Sequence, residues 1–497
     1  MKSHHQFHLP GANFLILTPS ECPLVEFICE IRRLLSFNPG ILKAIDRDLD
    51  HNGLKKKIIR QADKRWADKQ APLFHENDYS KMTAPLTLKQ GRPRISARAC
   101  YFFWMLCTYA GGTKTRKALD LLMDSKSVEL FLQEEGCHCP SVSTILENVN
   151  AISEGTRGMI MDSQIGVAHE DDLDDFQRCQ IDSTAVDANT AWPTDSSLMS
   201  KLLLRLHKRS LKLESFGLAP VVLPEMEDLI AELKQLDFKL NNTPKNKPGV
   251  LKDLYGQFLE QAEIGSQMFA SALSDLGSQI LTIVLKPSRK KRLEKRYEQM
   301  VSDLDSLCQV IECCTERIVE GVSRPSHEKV LSVSDPDAAF LKKGSREPRI
   351  GYKPQLSRSG KGLVTALLVP EGNAADAPQL SQLVMQSIER TGVVPIDFSA
   401  DGGYASKANR KWLINQGVGR PSFSSSKGKA ITPDEEWASP EFQGLRYWRS
   451  AVEALMSQIK GMMYFGAVKR RGLERVRAEL TDKVLAFNFM RLSFLRS

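Results

Sequence analysis

Apolar positions along this chain repeat every three to four residues over most of its length, and every second residue in a few short stretches. The first pattern predicts helices and the second predicts strands. "PLVEFICEIRRLLSFNPGILKAIDRDLD" reads as helical with a break at Asn38-Pro39-Gly40, and "NGLKKKIIRQADKRWADK" as a further helix, basic on one side. From Ser96 to Ile165 the chain reads as short helices joined by tight turns. Ser96 can cap the apolar "ARACYFFWMLCTYA", Gly111-Gly112 turns the chain, and Ser141 can cap "VSTILENVNAIS". "FQRCQIDSTAVDANTAW" then alternates and predicts a strand carrying Asp182, ended by Pro193-Thr194-Asp195, with Asp195 placed to cap the next helix.

From Ser196 to Arg324 the periodicity is almost purely helical, with a linker at Asn241 to Pro248. Strands return after Pro325. "KVLSVSD" is one. "RIGYKPQLSR" and "GLVTALLVPEG" flank Ser359-Gly360-Lys361-Gly362 as a hairpin. "VVPIDFSADGGYAS" is a strand ending at Asp401-Gly402-Gly403, and "VGRPSFSSS" is a short one, each preceded by a helix. Two helices close the chain, the last one basic. The order describes an α/β domain interrupted by an all-α insertion and preceded by an all-α region. The expected boundaries are 1–95 for an N-terminal helical region, 96–170 for a helix-turn-helix-like DNA-binding domain, 171–195 with 325–497 for the catalytic domain, and 196–324 for the insertion. The helices of 96–170 fit a plain bundle equally well.

At 497 residues the chain can bury several cores. Its net charge of +8 permits a polyanionic partner without requiring one. Basic residues concentrate at Lys286 to Arg296 and at Lys469 to Arg477, each readable as a solvated helix face or a phosphate-contacting one. Ten cysteines without regular spacing fit a reducing compartment. Cys137-His138-Cys139 lacks a second ligand pair at zinc-finger distance. No apolar run is long enough to span a membrane, and the first residues lack a secretory core, so a cytoplasmic protein is expected.

Three acids stand out by position. Asp182 lies on the first strand of the α/β region, Asp401 ends a later strand before two glycines, and Glu453 lies on a downstream helix. Ligands collect at strand ends in open α/β sheets, and carboxylates gathered there can hold Mg²⁺. Asp187, Asp195 and Asp397 compete for the strand roles. Arg449, Glu453 and Lys460 share one helix face beside an apolar stripe of Val452, Leu455, Met456 and Ile459. The same spacing also makes an ordinary surface ion pair.

Four segments in order, "IDSTAVDANTAWPTDSSLM", "SVSDPDAAFLKKG…GYKPQLSRSGKGLVTALLVPEGNAADAPQL", "SADGGYASKAN" and "RSAVEALMSQIKGMMYFGAVKRRGLERVRAEL…KVLAFNFMRL", resemble the DDE transposases of bacterial insertion sequences. Arg449-x3-Glu453-x6-Lys460 fits the Tyr-x2-Arg-x3-Glu-x6-Lys pattern of one branch, although the tyrosine slot holds Arg446 and Tyr447 stands one position late. The resemblance implies a ribonuclease-H-like catalytic domain. It also implies Asp182, Asp401 and Glu453 as catalytic metal ligands for Mg²⁺ (Mn²⁺ as substitute), with two ions. DNA contacts would come from Arg449, Lys460 and Tyr447, and from Lys114, Arg116 and Lys117 in the helical domain. The implied partners are double-stranded DNA, as terminal inverted repeats and target, and a second copy in a synaptic homodimer. In a bacterial cytoplasm such a protein would join the nucleoid when bound to DNA.

Overall fold

The computed structural model describes residues 5–7, 15–17, 23–70, 94–111, 115–218, 225–244, 246–342 and 347–496. The chain divides into two compact units. One takes in residues 1–52, 92–189 and 341–497, and the other takes in 53–91 and 190–340.

The first unit holds a five-stranded mixed sheet. Its strands are β3 (Arg178–Ser183), β7 (Gln355–Ser359), β8 (Val364–Leu368), β9 (Asp397–Ala400) and β10 (Arg420–Phe423), in the order β10-β9-β3-β7-β8. β9 runs parallel to β3 and β10, whereas β7 runs antiparallel to β3 and β8. One face buries Cys179, Ile181, Ala366, Phe398 and Phe423 with Leu380, Leu383 and Val384 of the Leu380–Thr391 helix. These are the alternating apolar positions of the sequence. The Leu473–Arg496 helix guards the β8 edge: Asn488 Oδ1 accepts from Val364 N at 2.9 Å, and Asn488 Nδ2 donates to Val364 O at 2.9 Å. One side chain thus satisfies both backbone groups of a residue on an edge strand.

The helices Pro23–Phe37, Ala97–Tyr109, Val142–Val149 and Glu154–Glu170 belong to the same unit as the sheet. Ser96 and Ser141 cap two of them, accepting from Ala99 N and Thr144 N. Arg157 makes a buried ion pair with Asp482 of the C-terminal helix (2.7 Å), and Gln164 donates to Leu485 O at 2.8 Å. The N-terminal region is not all-α. β1 (His5–Phe7) and β2 (Leu15–Leu17) pair antiparallel. The second of these is an apolar run too short for a stable helix.

In the second unit, helices Asp195–Leu211, Glu225–Asn242, Pro248–Thr282 and Pro287–Thr315 bury Leu202, Leu206, Leu233, Phe258, Phe269, Leu293, Met300 and Leu307 against one another. Pro248 and Pro287 begin their helices, where a missing N–H costs nothing. Thr194, not Asp195, caps the first of these helices. Its hydroxyl accepts from Ser197 N while Ser197 Oγ accepts from Thr194 N, and Asp195 inside the first turn pairs with Arg317 at 2.6 Å.

"KVLSVSD" does not form a strand, because Ser332 Oγ accepts from both Ser334 N and Asp335 N (3.3 and 3.1 Å) and bends the backbone out of a ladder. The strand comes later, at β5 (Ala339–Leu341). "RIGYKPQLSR" also divides. Its first part, β6 (Arg349–Tyr352), pairs with β4 (Val186–Asp187), whereas β7 joins the main sheet after Pro354, which has no N–H to donate.

Candidate functional site

The parallel pairing of β3 and β9 sets Cys179 beside Phe398, Gln180 beside Ser399 and Ile181 beside Ala400. The next residue on each strand is an aspartate. Asp182 and Asp401 therefore leave neighbouring strand ends side by side, on backbones about 4.8 Å apart. Each carboxylate accepts locally. Asp182 Oδ1 takes Ser183 N at 2.7 Å, and Asp401 Oδ1 takes Gly402 N at 2.7 Å and Ser424 Oγ at 3.1 Å. Both residues are half-buried. Gly402 is required at its position, since a Cβ there would overlap Ser425 Oγ and come within 3.0 Å of Ser424 O.

A polar network lies beside the two aspartates. Tyr404 is fully buried and donates to Gln355 Oε1 at 3.0 Å. Gln355 Nε2 donates to Asp376 Oδ1 at 3.3 Å, and Lys353 Nζ pairs with the same oxygen at 2.8 Å. Burial pushes the Tyr404 phenol well up, and the charges of Asp376, Asp182 and Asp401 push it further. All three carboxylates therefore lie near one phenol, with Lys353 offsetting part of their charge. Sequence reasoning missed Asp376, Gln355 and Lys353. Nothing local in the sequence marks Asp376, and only the folded sheet brings it beside Gly403.

Glu453 approaches from a different direction. The chain runs through a helix at Pro440–Trp448, turns at Arg449, and continues as the Ser450–Met463 helix, which buries Val452, Leu455, Met456 and Ile459. This arm is fastened to the sheet. Gln180 Nε2 donates to Arg449 O at 2.7 Å, and Trp448 has the guanidinium groups of Arg178 and Arg358 over its ring, each 5.7 Å from the centroid. Burial, with Arg491 adding to it, lowers the Arg358 guanidinium to about 10. Glu453 itself is 62% exposed and pairs with Arg449 Nη2 at 3.0 Å. Among the described residues no three His, Cys, Asp or Glu side chains converge as a metal-binding group.

The competing acids have structural work. Asp397 starts β9 rather than ending it and pairs with Arg178 (3.2 Å) and Arg420 (2.7 Å). Asp187 pairs with Arg349 at 3.2 Å. Of the remaining sequence-derived residues, Lys460 is half-buried and Tyr447 is 79% exposed. Arg116 and Lys117 are exposed in the first turn of the Thr115–Met123 helix, whereas Lys114 falls outside the described residues.

The donors at the paired strand ends are carboxylate oxygens, the ligand type a hard divalent cation prefers. Two such groups at adjacent strand ends fit a shared cation. Glu453, held by Arg449, does not stand with them in this arrangement. Among the described residues no helix is long and apolar enough to cross a membrane. Residues 328–489, about a third of the chain, match the family model of the transposase DDE domain. The match includes β9, Asp401 and Glu453 and begins after β3. Neither a curated protein nor a solved structure matches the chain.

Proposed function

Because the chain carries a transposase DDE domain, we propose that it is the transposase of a bacterial insertion sequence, which binds the ends of its element, cuts a strand there and joins the released 3′-hydroxyl to target DNA. The observation that carries this reading is the parallel register of β3 and β9, which makes Asp182 and Asp401 neighbours. On this reading the five-stranded sheet is a ribonuclease-H-like core built from 171–195 and 325–497, with 196–324 an insertion and 96–170 a DNA end-binding region.

Asp182 and Asp401 would hold Mg²⁺, with Mn²⁺ as a substitute, and a second ion would share the set. Bound there, such ions activate a water and stabilise the charge that develops on a phosphodiester. Glu453 would complete the ligand set once its pairing with Arg449 opens. Arg449 would then be released to phosphate oxygens, which a guanidinium grips in bidentate fashion. Lys460 adds a second cation on the same helix, and Tyr447 offers an exposed ring on which a base can stack. Lys114, Arg116 and Lys117 would contact phosphates from the helical region. Two copies would hold the two ends in a synaptic homodimer.

The ion pair of Glu453 with Arg449 favours one competing reading, a transposase-derived protein that binds DNA without cutting it. A strand-cleavage assay with Mg²⁺ on DNA carrying the element's own ends decides between them. Cleavage by the wild type and its loss in Asp401→Asn, with end binding retained, supports the enzyme. Binding without cleavage by the wild type supports the alternative. Undiminished cleavage by Asp401→Asn would remove Asp401 from the mechanism.

A further inference from the structure

Two of the densest basic runs in the chain come together in the second unit. One is Lys55 to Arg65, in the part of the Gly40–Gln70 helix beyond Asn52. The other is Lys286 to Arg296, at the start of the Pro287–Thr315 helix. Asp63 Oδ1 accepts from Ser288 N at 2.7 Å and joins them. The contact fixes which faces meet. On the first helix, Arg60 shares a face with Asp63 at a spacing of three, and Lys57 and Lys64, three and four residues from Arg60, stand on the adjoining side. On the second, Lys291, Arg292 and Lys295 share a face with Ser288 by the same rule. All six cations are exposed, and among the described residues none is paired with an acid. Glu294 lies off the second face and Glu298 one turn beyond it. The hydrogen bond from Ser288 is the main cause holding the Asp63 carboxyl below its usual range, and Lys286 and Arg292 contribute through their charge.

Six like charges grouped around one aspartate repel one another. Such a cluster gains most from a partner that brings regularly spaced anions. The three cations of the first helix span about 10 Å along its axis, and Lys291 to Lys295 about 6 Å. Several phosphates of one duplex fall within that reach. We infer that this two-helix basic face is a second DNA-binding surface, which grips the phosphate backbone of a duplex without reading its sequence. The inference rests on the proposed reading of DNA as the partner and gives the 196–324 region a task that reading leaves open. Leu54 and Ile58 are each about half exposed nearby, so an anionic membrane surface is the competing polyanion.

The test uses the full chain and an arbitrary 30-base-pair duplex, with binding followed by fluorescence anisotropy from low to high NaCl. Each phosphate contact contributes about 0.9 to the slope of log K against log salt. Replacing all six residues by alanine should lower that slope by up to about five and weaken binding at every salt concentration. The milder pair Lys57→Gln with Lys291→Gln should lower it by about two, which keeps the test usable if the sixfold variant folds poorly. The control is Lys407→Ala with Lys411→Ala and Lys427→Ala, which removes exposed lysines of the other unit and should leave more of the slope than the sixfold variant does. A slope and affinity unchanged in the pair and the sixfold variant, while the wild type binds, overturns the inference and leaves the transposase reading intact. Binding of phosphatidylserine vesicles through these six residues, with duplex binding unaffected by their loss, also overturns it in favour of a membrane surface. A wild type that binds no DNA at all refutes the transposase reading itself.

Discussion

Gly402→Ala tests the link between backbone packing and the position of Asp401. Gly402 follows Asp401 directly and is buried. A Cβ at that position would overlap Ser425 Oγ and lie 3.0 Å from both Ser424 O and Ser425 Cβ. A rotation of Ser425 removes the first contact only. The other two stay about 0.4 Å short of ordinary contact, and one of them is backbone. The chain end that carries Asp401 must therefore shift by several tenths of an ångström, because β9 is held on both sides by β3 and β10. Overpacking of this kind costs about 1–3 kcal/mol of stability. A misplacement approaching 1 Å at a reacting centre slows a reaction about a hundredfold. The expected result is a ten- to hundredfold slower Mg²⁺-dependent cleavage of the element's end DNA, with duplex affinity unchanged.

A second substitution separates displacement from general damage. Ser425 has φ 75°, a left-handed conformation that disfavours a side chain. Ser425→Gly removes the Oγ and Cβ that a residue at 402 would strike, and it also relieves this strain. The double variant should recover part of the lost rate, since only the contact with Ser424 O then remains, and should be at least as stable as Gly402→Ala alone. Wild-type cleavage by Gly402→Ala, or no recovery in the double variant, would refute the argument that this packing sets the position of Asp401.

Asp482→Ala should destabilise the chain by about 3–5 kcal/mol in urea unfolding, because it leaves the buried Arg157 guanidinium without its counter-charge. Arg157→Met with Asp482→Leu should regain much of that loss, and a single-variant cost below 1 kcal/mol would show that the pair is dispensable. Burial, opposed by Arg496, raises the Glu30 carboxyl above its usual range, so the folded state favours its protonated form. The stability this contributes is present at low pH and is lost as pH rises through the raised value. Glu30→Gln should therefore melt progressively higher than the wild type as pH goes from 4 to 7, and a pH-independent gap would contradict the assignment. Burial pushes the Cys100 and Cys314 thiols up to about 12, so iodoacetamide at pH 8 should label exposed Cys139 and Cys308 and spare these two until the chain is unfolded.

The strands that frame the aspartates were legible because each is a short alternating run between turn residues. β3 carries an aspartate next to its last residue and β9 is followed directly by one, and that was readable without knowing that they pair. Their adjacency was not readable, because strand order is decided by packing between segments more than two hundred residues apart. The Glu453–Arg449 pair was implicit in a spacing of four, but that Glu453 stands apart from the two aspartates was not, because the placing of its helix against the sheet is decided by contacts distant in sequence, such as Gln180 Nε2 to Arg449 O. Tyr404, Gln355 and Asp376 form their network only across strands, so no local pattern marks them. "KVLSVSD" misled because its β-branched alternation was outweighed by a serine hydroxyl bonding to nearby backbone. At Thr194, the hydroxyl and Ser197 completed a reciprocal cap that Asp195 was expected to supply alone.

The double hydrogen bond between Asn488 and Val364 has a consequence for how the chain is made. The side chain that finishes the β8 margin emerges from the ribosome 124 residues after the strand it covers. Through that interval the nascent sheet offers an open flank, the feature by which strands of separate molecules zip together. Synthesis that stalls or terminates before this asparagine would yield a product inclined to clump, so the last helix acts as a safeguard for the nascent polypeptide as well as a part of the finished one.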